Sequence, residues 1–477
     1  MSRLNLAKNT SFFTLALAFQ KALAFGYFII IARSLGVIDT GRYSFAMSFT
    51  TIFAMLLDFG LTQVLIRESA KNNDEGRKYL STVLALKLIG ALVIYGALIA
   101  SAFALNYPPE LRQLIYISGV IMIVDSFATS FYGVLRGQQN LMFESLGVIC
   151  NQLLVMATGV LVIWLQLGVR YVVAAYLVGS TFNLLLSVTT LWRRYHWPLR
   201  PHFDWQYVKK LILLAAPFAV AGLFMRIYGS IDMVFLSKMS SEHDLGIYSV
   251  AYKVSFALQF IGTAFSASVY PAFCRYVHES SEKLSQTFVE SIRYLTILSL
   301  PLAAGVVALA PVVLVPVFGS EYQEALEPLS LMMVALVFAF IAYPLTSLLN
   351  AAHKQTRNTI HLGITALTNA VLNAFFIPLW SYNGAAAATL ISYFVLVALS
   401  FVAASKIVAY PKRIVVGIFI RVLISTAVMA VVILLLRDLV PVVLVIPIAG
   451  ICYVAMLYIV KGFTTDDIRQ LKQMLSR

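Results

Sequence analysis

Fourteen apolar runs, each long enough to cross a bilayer, fill almost the whole chain and leave few folds open to it. They fall at approximately 10–32, 43–66, 80–105, 113–135, 141–166, 171–192, 211–236, 246–270, 290–310, 326–350, 357–378, 384–405, 414–436 and 440–460. A hydrocarbon core about 30 Å thick is crossed by roughly 20 helical residues, and inside it each backbone N–H and C=O must be paired within its own segment. The expected fold is therefore an all-α polytopic membrane protein with 14 transmembrane helices. Composition agrees, because 60% of the 477 residues are hydrophobic and 12% charged, more apolar surface than a water-facing exterior tolerates. The basic amino-terminal start resembles a signal peptide, yet its apolar run continues to about Ala32. That is too long for a cleaved leader, so it is expected to stay as helix 1.

Short cytoplasmic loops retain Lys and Arg, and this fixes orientation. Loops on the amino-terminal side hold 24 cations, whereas the opposite side holds Arg33, Arg42, Arg112, Arg170, Lys238 and Arg437. Both termini are expected in the cytoplasm. The inner loops account for the net charge of +14, and with no room for a folded basic domain a nucleic-acid partner is not expected. Cys150, Cys274 and Cys452 lie in or beside apolar segments without CxxC or Cys/His spacing, so neither a disulfide nor a metal site is expected. No Walker A motif occurs, and outer loops such as "NYPPELR" and "FGSEYQEALEP" are too short for a catalytic site. The chain reads as a non-enzyme without a cofactor.

An internal repeat organises the helices. "GRYSFAMSF" from Gly41 and "GIYSVAYKVSF" from Gly246 each open the second helix of a six-helix half, at an offset of 205, and the same offset carries Lys21 onto Arg226. Six helices separate the copies, so the repeat is parallel, with its axis along the membrane normal. The expected organisation is an N-lobe, 1–197, holding helices 1 to 6, and a C-lobe, 198–410, holding helices 7 to 12. Helices 13 and 14 with a cytoplasmic tail make up 411–477.

Eight charges lie inside spans: Lys21, Lys87, Arg226, Lys253, Arg421, Asp58, Asp125 and Asp232. Each costs about 2.5–3.5 kcal/mol by insertion scales, so such residues face a cavity or a partner. Lys21 and Arg226 sit near the centres of their spans, beyond the reach of snorkelling, and are expected to line a cavity. Lys253, two turns in from the outer side, either snorkels, meets a local partner or faces that cavity. Lys87 and Arg421 are closer to the cytoplasmic end, where snorkelling or a local partner serves. Asp125 is a candidate for pairing with Lys21 or Lys253 or for carrying a proton. Asp58 and Asp232, nearer helix ends, are candidates for capping, gating, pairing or ion coupling. Arg33 and Arg42 are candidates for an outer gate, and His353 and His361 read as residues of the helix 10 to 11 turn. A cavity with surplus cations suits an acidic substrate, since Arg grips phosphate bidentately and Lys acts as a point charge.

The blocks "ARSLGVIDTGRYSFAMSFTTIFAMLLDFGLTQVLIRE", "LGIYSVAYKVSF", "FGSEYQEALEPLSLM" and "NAVLNAFFIPLWSYNGAAAATLISY", in that order, resemble the polysaccharide transporter branch of the multidrug/oligosaccharidyl-lipid/polysaccharide superfamily, the Wzx-type O-antigen flippases. The resemblance implies translocation of an undecaprenyl-pyrophosphate-linked oligosaccharide across a bacterial inner membrane by alternating access of two lobes. It implies a cationic cavity, matched here by Lys21, Arg226 and Lys253, with proton or sodium coupling as a candidate driving force. Glycan polymerase and chain-length machinery are candidate partners beside the lipid-linked glycan and the bilayer. Two alternatives stay open at this point: a multidrug or cation exporter of the same superfamily, and a non-transporting scaffold of a glycan-assembly complex.

Overall fold

The computed structural model of the chain describes residues 3–197 and 199–462, with side chains from residue 12 onward except at 217. The expected cytoplasmic tail beyond 462 lies outside the described residues. Within them the chain is 90% helix with no strand. The helices are α1 (Arg3–Asp58), α2 (Leu61–Lys71), α3 (Asn73–Ala104), α4 (Pro109–Gly137), α5 (Met142–Trp164), α6 (Val169–Thr189), α7 (Trp205–Met239), α8 (Glu242–Glu279), α9 (Ser281–Phe318), α10 (Leu326–Ala351), α11 (Gln355–Ala404), α12 (Lys412–Leu436) and α13 (Val442–Ile459). Among the described residues, 12 helical segments are long and apolar enough to cross a membrane. Two of these, α1 and α11, each contain a break, at Gly36 (φ 74°) and Ser381 (φ 47°), so the segments make 14 passes.

The second pass differs from its expected span. It ends at Asp58 rather than near 66, because Phe59 and Gly60 both take positive φ and the chain restarts as the short α2. Close packing sets the bend: a Cβ at Gly60 would stand 2.9 Å from the Ala215 carbonyl oxygen of α7, closer than any side chain allows.

Packing divides the chain into two compact units, Met1–Ser249 and Val250–Arg477. In the first, Leu61, Leu65, Tyr79, Leu80, Phe131, Leu191, Trp197 and Leu211 build a core at one end of the bundle. The second half of α1 runs antiparallel to α7: Thr51 Oγ1 lies 2.9 Å from Ser230 Oγ, and Met55 packs where Gly222 has no side chain. In the second unit, α12 and α13 share a core with α9 through Ala308, Val422, Met429, Ile433 and Tyr453. Arg421 donates to the Lys461 carbonyl at 3.1 Å and Arg293 to the Gly462 carbonyl at 2.9 Å, so guanidinium groups satisfy the carbonyls at the end of α13. His361 is not a turn residue. It is buried inside α11, with Nδ1 3.4 Å from the Ser400 hydroxyl.

Candidate functional site

Lys21 lies midway along the first pass of α1, and Arg226 midway along α7. The fold brings them within electrostatic range of one another. Lys21 is half-buried and Arg226 exposed, and the Arg226 guanidinium forms no ion pair among the described residues. Two cations so placed in a medium of low dielectric repel each other strongly. A divalent anion between them turns that repulsion into attraction, and the planar guanidinium can meet two phosphate oxygens at once.

The intramembrane acids have other partners. Lys87 is fully buried, and its ammonium donates to Asp58 Oδ1 at 2.8 Å, to the Ser126 carbonyl at 2.8 Å and to the Ser126 hydroxyl at 2.9 Å. Snorkelling is thus not how Lys87 is accommodated. Asp58 also accepts from the Thr62 hydroxyl, which completes a polar knot at the end of the second pass. Asp232 is buried and accepts a 2.6 Å hydrogen bond from the Tyr248 hydroxyl. Asp125 forms no ion pair among the described residues, so the pairing expected with Lys21 or Lys253 is not made. Lys253 is half-buried on α8, in the second unit, next to Tyr252, whose ring stacks on Phe256 at 5.9 Å.

A close helix crossing stands toward the Gly36 end of the same unit. A Cβ built on Gly41 would lie 2.5 Å from the Glu242 carbonyl oxygen, and one built on Gly246 would overlap the Val37 carbonyl oxygen. The relation is reciprocal: Gly41 corresponds to Gly246 and Val37 to Glu242 at the repeat offset of 205. Each glycine therefore meets the repeat equivalent of the group that its own equivalent meets, the signature of a two-fold contact. Gly41 and Gly246 stand against one another here, so this crossing lies beside the axis that relates the two copies.

Arg42 ties the crossing together. Its guanidinium holds Glu242 at 2.7 Å, Glu110 at 3.0 Å and Asp39 at 3.2 Å, joining the starts of three membrane-spanning segments. Arg33, its companion in the sequence reading, is exposed on the last turn before Gly36. Sequence reading had missed the three acids, although a signal was present: each occurs in or beside a loop on the side that is otherwise poor in charge. It had also missed Gln20, whose amide donates to Gln152 Oε1 at 2.9 Å and joins α1 to α5 one residue before Lys21.

These features define the class: an internally repeated, polytopic helical membrane protein with two intramembrane cations within electrostatic range of one another. The model described as "Polysaccharide biosynthesis protein" matches residues 6–277, and the chain belongs to that family, within the multidrug/oligosaccharidyl-lipid/polysaccharide superfamily. A second model, "MatE", matches residues 217–375. Among curated proteins, the chain is similar to "Teichuronic acid biosynthesis protein TuaB" of Bacillus subtilis (strain 168), 23% identical over 63% of this chain and 62% of that one. It is also similar to "Probable low-salt glycan biosynthesis flippase Agl15" of Haloferax volcanii, 21% identical over 82% of this chain and 81% of that one. The match to TuaB thus covers less than two thirds of that relative's length. Among solved structures, "Lipid II flippase MurJ, inward closed conformation" superposes with a TM-score of 0.77 at 16% identity, covering 94% of this chain and 98% of that one. That likeness concerns the fold.

Proposed function

We propose that this protein is a flippase that carries a lipid-linked, diphosphate-bearing oligosaccharide across the membrane by alternating access. The observation that carries the reading is the Lys21–Arg226 pair, two like charges within electrostatic range of one another near the middles of their spans. A diphosphate brings two or more negative charges and many acceptor oxygens, and it answers both cations together. The lipid tail stays in hydrocarbon while the head passes along the axis, and the Gly41–Gly246 crossing with its Arg42 clamp separates to release it. The relatives named for teichuronic acid and glycan biosynthesis support a glycan cargo. The finer reading is an undecaprenyl-pyrophosphate-linked unit of O-antigen or a related surface polysaccharide, moved across a bacterial inner membrane with both termini cytoplasmic. Lys253 is a further substrate-binding cation, and proton or sodium coupling supplies the drive. Glycan polymerase and chain-length machinery act on the released product.

The MatE match over 217–375 favours one second reading, an exporter of cationic drugs. A site built on two cations argues against it, because a cationic cargo needs acids there. The test uses cells lacking the gene, complemented with wild type, Lys21→Gln or Arg226→Gln at matched abundance. Loss of surface glycan with accumulation of the lipid-linked precursor supports the flippase. Normal glycan export by both variants refutes the cation-pair mechanism, and glycan export that does not depend on the gene refutes the assignment.

A further inference from the structure

The longest polar interruption, "RRYHWPLRPHFDWQYVKK" at 193–210, leaves helix after α6 and re-enters it at α7. It is pinned to the unit rather than loosely spanning it. Trp197 is buried beside Tyr79 and Leu80 and reaches Gly76, where a Cβ would lie 2.8 Å from its ring. The His202 amide donates to the Ser81 carbonyl at 3.1 Å, and the Tyr207 ring stands edge-on to Tyr79 at 5.2 Å while its hydroxyl donates to Glu75. The Asp204 side chain caps α7 by accepting from the Gln206 amide.

With the inner face of the segment so engaged, its outer face is left to Arg200, Phe203, Trp205 and Lys209, with Lys210 at the edge, its ammonium over the Tyr207 ring at 5.5 Å. Phe203 and Trp205 stack at 6.3 Å yet stay 49% and 68% exposed. Arg200, Lys209 and Lys210 are exposed on the same segment, and one turn on, Leu213 of α7 is 76% exposed. Exposed aromatics at the foot of a membrane helix lie at headgroup depth, and interfacial cations there attract anionic lipid. Five cations against the single acid Asp204 make the segment complementary to phosphate.

We propose that this strap is a binding surface for anionic phospholipid headgroups, with Arg200, Lys209 and Lys210 on the phosphates and the Phe203–Trp205 stack between the heads. The proposal rests on the membrane orientation given above only for naming the inner leaflet as the one engaged. It does not require the glycan cargo.

The test is native mass spectrometry of the full-length protein in detergent, titrated with dioleoylphosphatidylglycerol or dioleoylphosphatidylcholine. The proteins are wild type, Arg200→Gln/Lys209→Gln/Lys210→Gln, and Phe203→Ala/Trp205→Ala, each first checked for an unchanged unfolding midpoint. Wild type should prefer the anionic lipid, by up to about 100-fold at low salt if each cation has its usual interfacial strength. The charge variant should lose that preference, and the aromatic variant should bind both lipids more weakly. Equal binding of the two lipids to wild type, or an unchanged preference in the charge variant, overturns the proposal. So does geranylgeranyl diphosphate binding that needs the three cations when phosphatidylglycerol binding does not, because the strap would then be a cargo site. Glycan export plays no part in the readout, so failure here and failure of the flippase assignment are separate results.

Discussion

Replacing Gly41 by alanine puts a methyl carbon 2.5 Å from the Glu242 carbonyl oxygen. An ordinary C···O approach is about 3.3 Å, so the two helix starts must move apart by roughly 0.8 Å. Overpacking of this kind costs about 1–3 kcal/mol, and here the cost falls only on the state in which the crossing is closed. The equilibrium between closed and separated crossings should therefore shift about 5- to 150-fold toward separation. Gly246→Ala should act alike, because its methyl meets the Val37 carbonyl in the reciprocal position. Gly26→Ala is the control, since nothing lies within 4 Å of a Cβ there. Double electron–electron resonance between labels at Ile38, exposed, and His243, half-buried, reads the separation directly once Cys150, Cys274 and Cys452 are replaced. A longer or broader distance distribution in Gly41→Ala and Gly246→Ala, with Gly26→Ala like wild type, is expected. Unchanged distributions in both crossing variants would refute the idea that this contact is a gate.

Three further outcomes are expected. Arg42→Gln leaves Asp39, Glu110 and Glu242 facing one another without their shared cation, so the same labels should move apart, and more so at low than at high ionic strength. Lys87→Met breaks a buried pair and should cost about 3–5 kcal/mol, read as a lower unfolding midpoint in detergent. Lys87→Met/Asp58→Asn should recover part of that loss, and a double variant no better than the single one would show that the pair is not what holds α1 to α3. At Glu68, on α2 outside the spans, burial favours the neutral acid, but hydrogen bonds from Arg67 and Lys71 outweigh it and hold the carboxyl below the usual range. Its contribution is present above the unfolded-state value, about 4.3, and is lost as pH falls through the folded one. Glu68→Gln should therefore reduce stability near neutral pH and make the acid-side loss shallower, seen as unfolding midpoints against pH.

The passes and the repeat were legible because they are written in local pattern. Runs of about 20 apolar residues announce helices, and the 205-residue offset carried Lys21 onto Arg226 before any contact was known. What escaped were pairings set by packing between distant segments. Lys87 meets Asp58 across 29 positions and a bend whose cause, the fit of Gly60 against Ala215, lies on another helix. Gly41 and Gly246 stood in the motifs that define the repeat, yet nothing local says that each must admit the other's neighbouring carbonyl. The 193–210 segment read as a separator because it is polar, while the buried indole of Trp197 fastens it to the first turns of α3. Polarity marks where a chain leaves the membrane but not what it then packs against.

Lys21 and Arg226 are expected to act together on one diphosphate. Equilibrium binding of a polyprenyl diphosphate to the purified full-length protein in nanodiscs, for wild type, Lys21→Gln, Arg226→Gln and the double variant, measures this. Charge-assisted contacts contribute about 1.5–3 kcal/mol each. Each single variant should thus bind roughly 10- to 100-fold more weakly, and the double variant should lose less than the product because the cations share a ligand. Binding that is unchanged in both single variants, or that is matched by an organic cation competing for the same site, would contradict the account.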